Sequence, residues 1–342
     1  MKFEEAARTE MARDAVFISA NQRRSLLLAA VAAVVAAPLT QALAQAGNWP
    51  AKPITFVVPQ APGGANDVIA RAVAQGLENS LGQPVIVENR AGANGNLGTG
   101  QVARSAADGY TFLVTAQSAY TINPALYSKV PFDPIKDFTA VMQLAVAPYL
   151  LVVNPNFPAR NLDELVAYAK AHPGKVEYAS AGNGTLNHLL GEMLKKQKNV
   201  SLLHVPYKGA SAAATDVVAG QLPVTFGSFP GVMPFVSSGK LRVLGVASDR
   251  PTSLAPEIPV LGKGLAVTSW YGLFAPAGTP QPVGDRLYQA VKTVLDRPEM
   301  AERLKTLGAE RVESTPQSFK AMLPAELAYW KQVVKDSGAH ID

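Results

Sequence analysis

Short apolar runs separated by glycine- and proline-rich stretches alternate with segments whose apolar residues recur three and four positions apart. Residues 54–58, Ile-Thr-Phe-Val-Val, read as a buried strand. After a Pro/Gly loop, Val68, Ala72, Val73 and Leu77 fall on one stripe and predict a helix over 67–81. Residues 84–88 are strand again, followed by a glycine-rich loop, a helix over 98–105 and a strand over 110–114. Residues 149–153 form a further strand, and Asn161 stands where a helix cap is expected, ahead of Leu162, Asp163 and Glu164. Strands at 176–179 and 202–206 repeat the theme. A strand at 269–274, a turn at 276–280, a helix from about Val283 and a closing helix over 316–337 complete the chain. Strands separated by helices imply mostly parallel sheets with helices on both faces. Two such units imply two α/β domains, with ligands bound outside the carboxyl ends of the strands.

The amino terminus breaks this pattern. Arg23-Arg24 precede an uncharged run of Leu, Val and Ala over 26–37, Pro38 interrupts it, and Ala42-Leu43-Ala44 supplies a small-x-small cleavage pattern. That run is too short to span a bilayer. Residues 1–44 are therefore expected to be an export signal cleaved near Ala44, of Sec or twin-arginine type, and the mature protein is expected in the periplasm.

Composition narrows the chemistry. Of 342 residues, 48% are apolar, enough for packed cores, which excludes a disordered chain. With no cysteine there is no disulfide, thiolate metal site or cysteine nucleophile. The net charge of +5 is scattered rather than clustered, so no nucleic-acid footprint is expected. No nucleophile elbow, zinc-helix motif or P-loop occurs, and His172, His188, His204 and His340 lack metal-ligand spacing. Gly98-Thr99-Gly100-Gln101-Val102-Ala103 nominally fits a dinucleotide fingerprint. It lies too far from the preceding strand, however, and the next strand ends without an acid for a ribose. No cofactor, metal or catalytic centre is expected.

What remains is a set of polar loops between strands and helices. Gly63, Gly64 and Asp67 follow the first strand; Gly92 and Gly95 lie in the loop after the second; Ser118 and Asn123-Pro124 follow the third. Ser180, Gly182, Gly184 and Thr185 precede a helix carrying His188, and Tyr207 and Lys208 follow another strand. Glycines admit a ligand close to the backbone, and unpaired N–H groups at a helix start favour an anion. The plainer readings are a tight turn capped by Asp67, a structural His188 and a solvated Lys208.

These motifs, in this order, resemble the Bug-type extracytoplasmic solute receptors, the substrate-binding proteins of tripartite tricarboxylate transporters. The matching elements are Pro62-Gly63-Gly64 with Asp67, Gly82-Gln83-Pro84, the loop over 92–98, Asp108-Gly109-Tyr110-Thr111 and Asn123-Pro124-Ala125-Leu126. Ser180 to His188, Val205-Pro206-Tyr207-Lys208-Gly209, Asp216, the run over 275–280 and Trp330 complete the set. The resemblance implies a type II-like periplasmic binding protein fold. Domain 1 would hold residues 49–149 and 271–342 and domain 2 residues 150–270, with the ligand cleft between them. It implies a small organic carboxylate held by loop backbone, with Pro62 and His188 among the site residues. It also implies membrane transporter subunits as partners, while a monomer is expected. Where the family usually carries Asp-Asn after a strand, this chain has Gly227-Ser228, which disfavours an amino-acid ligand. Competing expectations are a receptor that presents its ligand to a membrane signalling partner and, on the fingerprint alone, a nucleotide-dependent enzyme.

Overall fold

The computed structural model describes residues 49–339 and residue 341. The expected export signal, with Arg23, Arg24 and Ala44, lies outside the described residues, as does His340. Among the described residues no helix is long and apolar enough to cross a membrane.

Two groups of short parallel strands are joined by two long antiparallel ones. β1 (Ile54–Val58) lies between β2 (Val85–Asn89) and β3 (Thr111–Ala116), all parallel. β5 (Val176–Ser180) likewise lies between β6 (Leu202–Pro206) and β7 (Val224–Ser228). β4 (Phe138–Val153) and β9 (Thr268–Pro276) connect the groups. β9 pairs with β3 and with β4 from Phe138 to Pro148. From Tyr149 onward β4 pairs instead with β7 and with β8 (Arg242–Val246). Parallel order is thus confined to the two outer groups. The joining strands are antiparallel because β9 brings the chain back into the first half of the sheet without a crossover helix.

The register fixes where the strand ends fall. Ala116, which closes β3, is opposite Tyr271 of β9, and Tyr271 is opposite Ala145 of β4. Ser228, which closes β7, is opposite Tyr149 of β4. β3 runs with β4 and β7 runs against it, so the two parallel groups point at each other. Their carboxyl ends are separated by the stretch of β4 from Ala145 to Tyr149, roughly 13 Å at the rise of a strand.

Most helices begin where the sequence places them. α1 (Ala65–Leu81) starts two residues before Asp67, with Gly64 as its N-cap, so Asp67 is not the cap. It sits in the first turn, where its carboxylate accepts the Gly63 N–H at 2.9 Å. α2 (Asn96–Ala103) contains the glycines of the nominal fingerprint. They serve packing: a Cβ on Gly98 would lie 2.6 Å from the Arg90 carbonyl oxygen, and one on Gly100 equally close to Pro131. α3 (Asn123–Leu126) follows the turn after β3, and α4 (Leu162–Ala171) is capped by Asn161, which accepts the Glu164 N–H at 2.8 Å. α5 (Leu186–Lys198), α6 (Ala210–Val218) and α7 (Phe229–Ser237) follow β5, β6 and β7. α8 (Gln281–Leu295), α9 (Pro298–Thr306) and α10 (Pro316–Ser337) end the chain, α10 opening with a Thr315–Ser318 capping box.

α10 belongs to both cores. Phe319 and Leu323 pack into an aromatic cluster of the first half, where Tyr120 stacks on Phe274 at 4.1 Å beside Phe138 and Trp270. Trp330 and Val334 pack into the second half with Leu151, Tyr178, Leu189 and Phe226. Between these two segments, one carboxylate oxygen of Glu326 accepts from Gln117 Nε2 at 2.9 Å, Trp330 Nε1 at 3.1 Å and Trp270 Nε1 at 3.4 Å.

Candidate functional site

The loops after β1, β2 and β3 are built around carboxylate and amide side chains. Asp67 accepts from Gly63 N–H, from Arg71 Nε at 3.1 Å and from Asn89 Nδ2 at 2.9 Å, and it pairs with the Arg71 guanidinium at 3.0 Å. Burial alone would raise its pKa, but the Arg71, Gly63 and Asn89 contacts hold it below the usual aspartate range. Its charge is spent on fixing the Pro62-Gly63-Gly64 loop to the end of β2. Gly95 approaches the neighbouring loops closely: a Cβ there would lie 2.9 Å from Ala119 and 3.3 Å from the Pro59 oxygen. Gly92, Ala93, Asn94 and Gly95 all have positive φ, and Asn123 Nδ2 holds the turn by donating to the Asn94 oxygen at 2.9 Å. Asn66 ties the first loop to the third strand by donating to Val114 O at 2.9 Å, while its buried Oδ1 has no partner. Ser118 is half-buried at the start of the turn after β3.

In the second half, Ser180 is fully buried. Its hydroxyl accepts the Gly182 N–H at 3.1 Å and shares a 2.6 Å hydrogen bond with His204 Nε2. Thr185 donates its hydroxyl to Gly182 O at 2.7 Å, and Gly184 donates its N–H to His188 Nδ1 at 3.0 Å. Tyr207 joins this loop through its N–H, which donates to Ser180 O, while its hydroxyl donates to Asp216 at 2.7 Å. That bond pushes the Tyr207 phenol up to about 12. Lys208 is exposed beside it.

The structure therefore brings the predicted residues into two clusters, one at each set of strand ends. Pro62, Gly63, Gly64, Asp67, Gly92, Gly95 and Ser118 form one; Ser180, Gly182, Gly184, Thr185, His188, Tyr207 and Lys208 form the other. They meet where Gly184 lies against Leu126 of α3. The hydroxyls of Ser180, Thr185 and Tyr207 are already engaged, with His204 of β6, with Gly182 O and with Asp216 of α6, and Ser118 is the fourth candidate hydroxyl. The N–H groups of Gly63, Gly95, Gly182, Gly184 and Thr185, expected to be unpaired, are also taken, by Asp67, Gly92 O, Ser180, His188 Nδ1 and Gly182 O respectively. Among the described residues no cluster of metal-ligating side chains occurs.

Sequence reasoning passed over His204, Tyr149 and Tyr271. His204 lies sixteen residues from His188, yet their rings stack at 3.9 Å between centroids, and Tyr178 stacks on His204 at 5.0 Å. Burial and the adjacent His188 push His204 down to about 4, and burial also lowers His188 against the opposing pull of Glu192. Both imidazoles are neutral in the fold but ionise near 6.5 when unfolded. The unfolded chain thus binds more protons between pH 6.5 and about 4, so stability falls as pH drops through that window. A series of thermal midpoints from pH 7.5 to 4.5 should decline less steeply in His204→Gln than in the parent; equal slopes would remove the pair from that titration. Tyr149 and Tyr271 occupy the register positions where the strand ends meet. Burial pushes Tyr149 up to about 12 and Tyr271 higher still, so both phenols remain protonated donors. Only the alternation of faces along β4 and β9, whose extents the sequence understates, could have located them.

Comparison with known proteins agrees with this architecture. The family model described as the tripartite tricarboxylate transporter family receptor matches residues 69–339. BugT of Bordetella pertussis is 33% identical over 320 residues, covering 92% of this chain and 98% of that protein. The structure of Rpa4515 from R. palustris with adipate superposes with a TM-score of 0.78 at 31% identity, covering 85% of this chain and 99% of the other. MatC from Rhodopseudomonas palustris with bound malate gives a TM-score of 0.73 at 32% identity, covering 84% and 100%. With its two facing strand groups, its glycine-bordered loops and this match along most of its length, the chain belongs to the tripartite tricarboxylate transporter receptor family.

Proposed function

We propose that this protein is a periplasmic receptor that captures a small organic carboxylate and delivers it to membrane subunits of a tripartite tricarboxylate-type transporter. The observation that carries this reading is the opposed geometry of the two parallel strand groups, whose following helices start on either side of mid-β4. A carboxylate between them meets the N–H groups not taken within the loops: those opening α1 after Gly64, those of Ala93 and Asn94 in the turn from Gly92 to Gly95, and that of Asn183 between Gly182 and Gly184. Ser118 adds a hydroxyl and Pro62 shapes the rim. Asp67, Ser180, His188 and Tyr207 set the loops in place, and Lys208 contributes positive charge at the edge. Domain 1, residues 49–149 and 271–342, closes on domain 2, residues 150–270, by bending of the strands that join them. The relatives solved with adipate and malate support the ligand class.

A charge-assisted hydrogen bond contributes about 1.5–3 kcal/mol net. Several of these reach the roughly 8 kcal/mol of micromolar binding. The export signal expected over 1–44 would carry the mature chain to the periplasm. A thermal-shift screen of mono-, di- and tricarboxylates should raise the midpoint with at least one acid, since a ligand specific to the native state stabilises it. No response to any carboxylate would overturn the reading. Thr185→Ala removes the shortest of the bonds to the Gly182 carbonyl that organises the loop and should weaken binding about fivefold, the equivalent of roughly 1 kcal/mol, with little change in the ligand-free midpoint. Unchanged affinity by calorimetry would take Thr185 out of the site.

A further inference from the structure

A cavity of about 330 Å³ lies between α6 and α7 over the end of β7. Ala214, Phe226, Val232 and Phe235 line it, with Asn187 and Ser228 also at its surface, and none of its lining residues is charged. Asn187 is the second residue of α5, two beyond Thr185, and Ser228 is opposite Tyr149 where the strand ends meet. The cavity therefore adjoins the anion site rather than standing apart from it. Its shape depends on Gly227, where a Cβ would lie 2.2 Å from Val232, so α7 rests directly on the strand. The Asn187 amide is occupied, donating to Phe226 O at 2.5 Å, and the Thr225 hydroxyl donates to Ala179 O at 2.8 Å. A second or third carboxylate placed here would lose its hydration without gaining a cation. An apolar group loses nothing. Pockets for small molecules combine such apolar walls with a few convergent polar groups, and an apolar cavity of ~150 Å³ already accommodates benzene.

Resting on the receptor reading above, we propose that the ligand is an aromatic monocarboxylate whose ring fills this cavity while its carboxylate sits among the helix starts. A ring fits within the roughly 330 Å³ of the cavity, and the uncharged lining selects against citrate-like acids.

The test is calorimetry on the purified mature chain with benzoate, 4-methylbenzoate, acetate, malate and citrate. Benzoate and its methyl derivative are expected to bind at least tenfold more tightly than acetate or citrate. Ala214→Leu narrows the cavity and should lower benzoate affinity at least tenfold more than acetate affinity. Ser211→Phe obstructs the same cavity from an exposed position and should do likewise, which keeps the test open if the buried change prevents folding. Malate or citrate binding as tightly as benzoate, or benzoate affinity indifferent to both substitutions, overturns the proposal while leaving the receptor reading standing. Failure of every carboxylate to bind overturns both.

Discussion

Replacing Gly184 by alanine is expected to lower the free energy of unfolding by about 2–5 kcal/mol and to weaken ligand binding strongly. Two costs combine. Gly184 has φ +71°, a left-handed conformation that costs an L-residue about 1–2 kcal/mol. Its new Cβ would also lie 2.1 Å from Leu126 Cδ2 and 2.4 Å from Cδ1. Leu126 is buried within the core of the second half, so it cannot swing away freely, and overpacking of this kind costs about 1–3 kcal/mol. Relief by moving the loop would break the Gly184 N–H bond to His188 and shift Thr185. Urea denaturation reads the first effect and calorimetry with a carboxylate the second. A parent-like urea midpoint would show that α3 yields, and the close packing of the two loops would then carry no weight.

Glu326→Ala is expected to be more damaging, by about 3–5 kcal/mol. A single carboxylate oxygen satisfies three side-chain donors, Gln117, Trp270 and Trp330, each of which is buried. Removing it leaves several buried N–H groups unpaired, at about 1–3 kcal/mol apiece. Gln117 Oε1 already lacks a partner, so without Glu326 the whole of that buried amide is unpaired. Glu326→Gln keeps an acceptor oxygen without the charge and should fall between the parent and alanine. Near-ultraviolet circular dichroism would follow the two tryptophans through the same titration. If alanine and glutamine variants unfold at the parent's urea concentration, the three-way bond is dispensable.

The sequence carries much of this fold in plain view. The closing helix is read at 316–337 and found there, because Trp330, Phe319 and Val334 recur with helical spacing and Thr315 precedes a proline. The loops after β1 and β5 are legible for the same kind of reason, since glycines and small hydroxyls stand between an apolar run and an amphipathic one. The stretch from Phe138 to Pro148 is not. It is buried along nearly its whole length, so it shows no alternation, its register slips at Ala140/Met142 and Gln143/Ala145, and Pro148 reads as a break. Missing that stretch conceals the antiparallel seam and with it the place where Tyr149 and Tyr271 meet the strand ends. The uses of individual side chains are equally hidden. Asp67 reads as a cap but binds its own loop, Arg71 and Asn89, and His188 finds a partner in His204 that no local spacing announces.

The late arrival of β9 and α10 sets a timetable for assembly. A chain synthesised only as far as residue 260 has β3 with one edge bare, because its partners at 271–274 do not yet exist. It also lacks Trp270, Phe274 and Phe319 from one interior and Trp330 from the other. One core of the second half, from Leu150 to Ile258, is complete by then, but the other interiors are not, and an open strand edge invites wrong pairing. Closure then spans more than 150 residues of intervening chain from Leu113 to Phe274, a separation that slows folding. Until its last segment is made the chain exposes that edge, which is the interval in which a holding chaperone would protect it most.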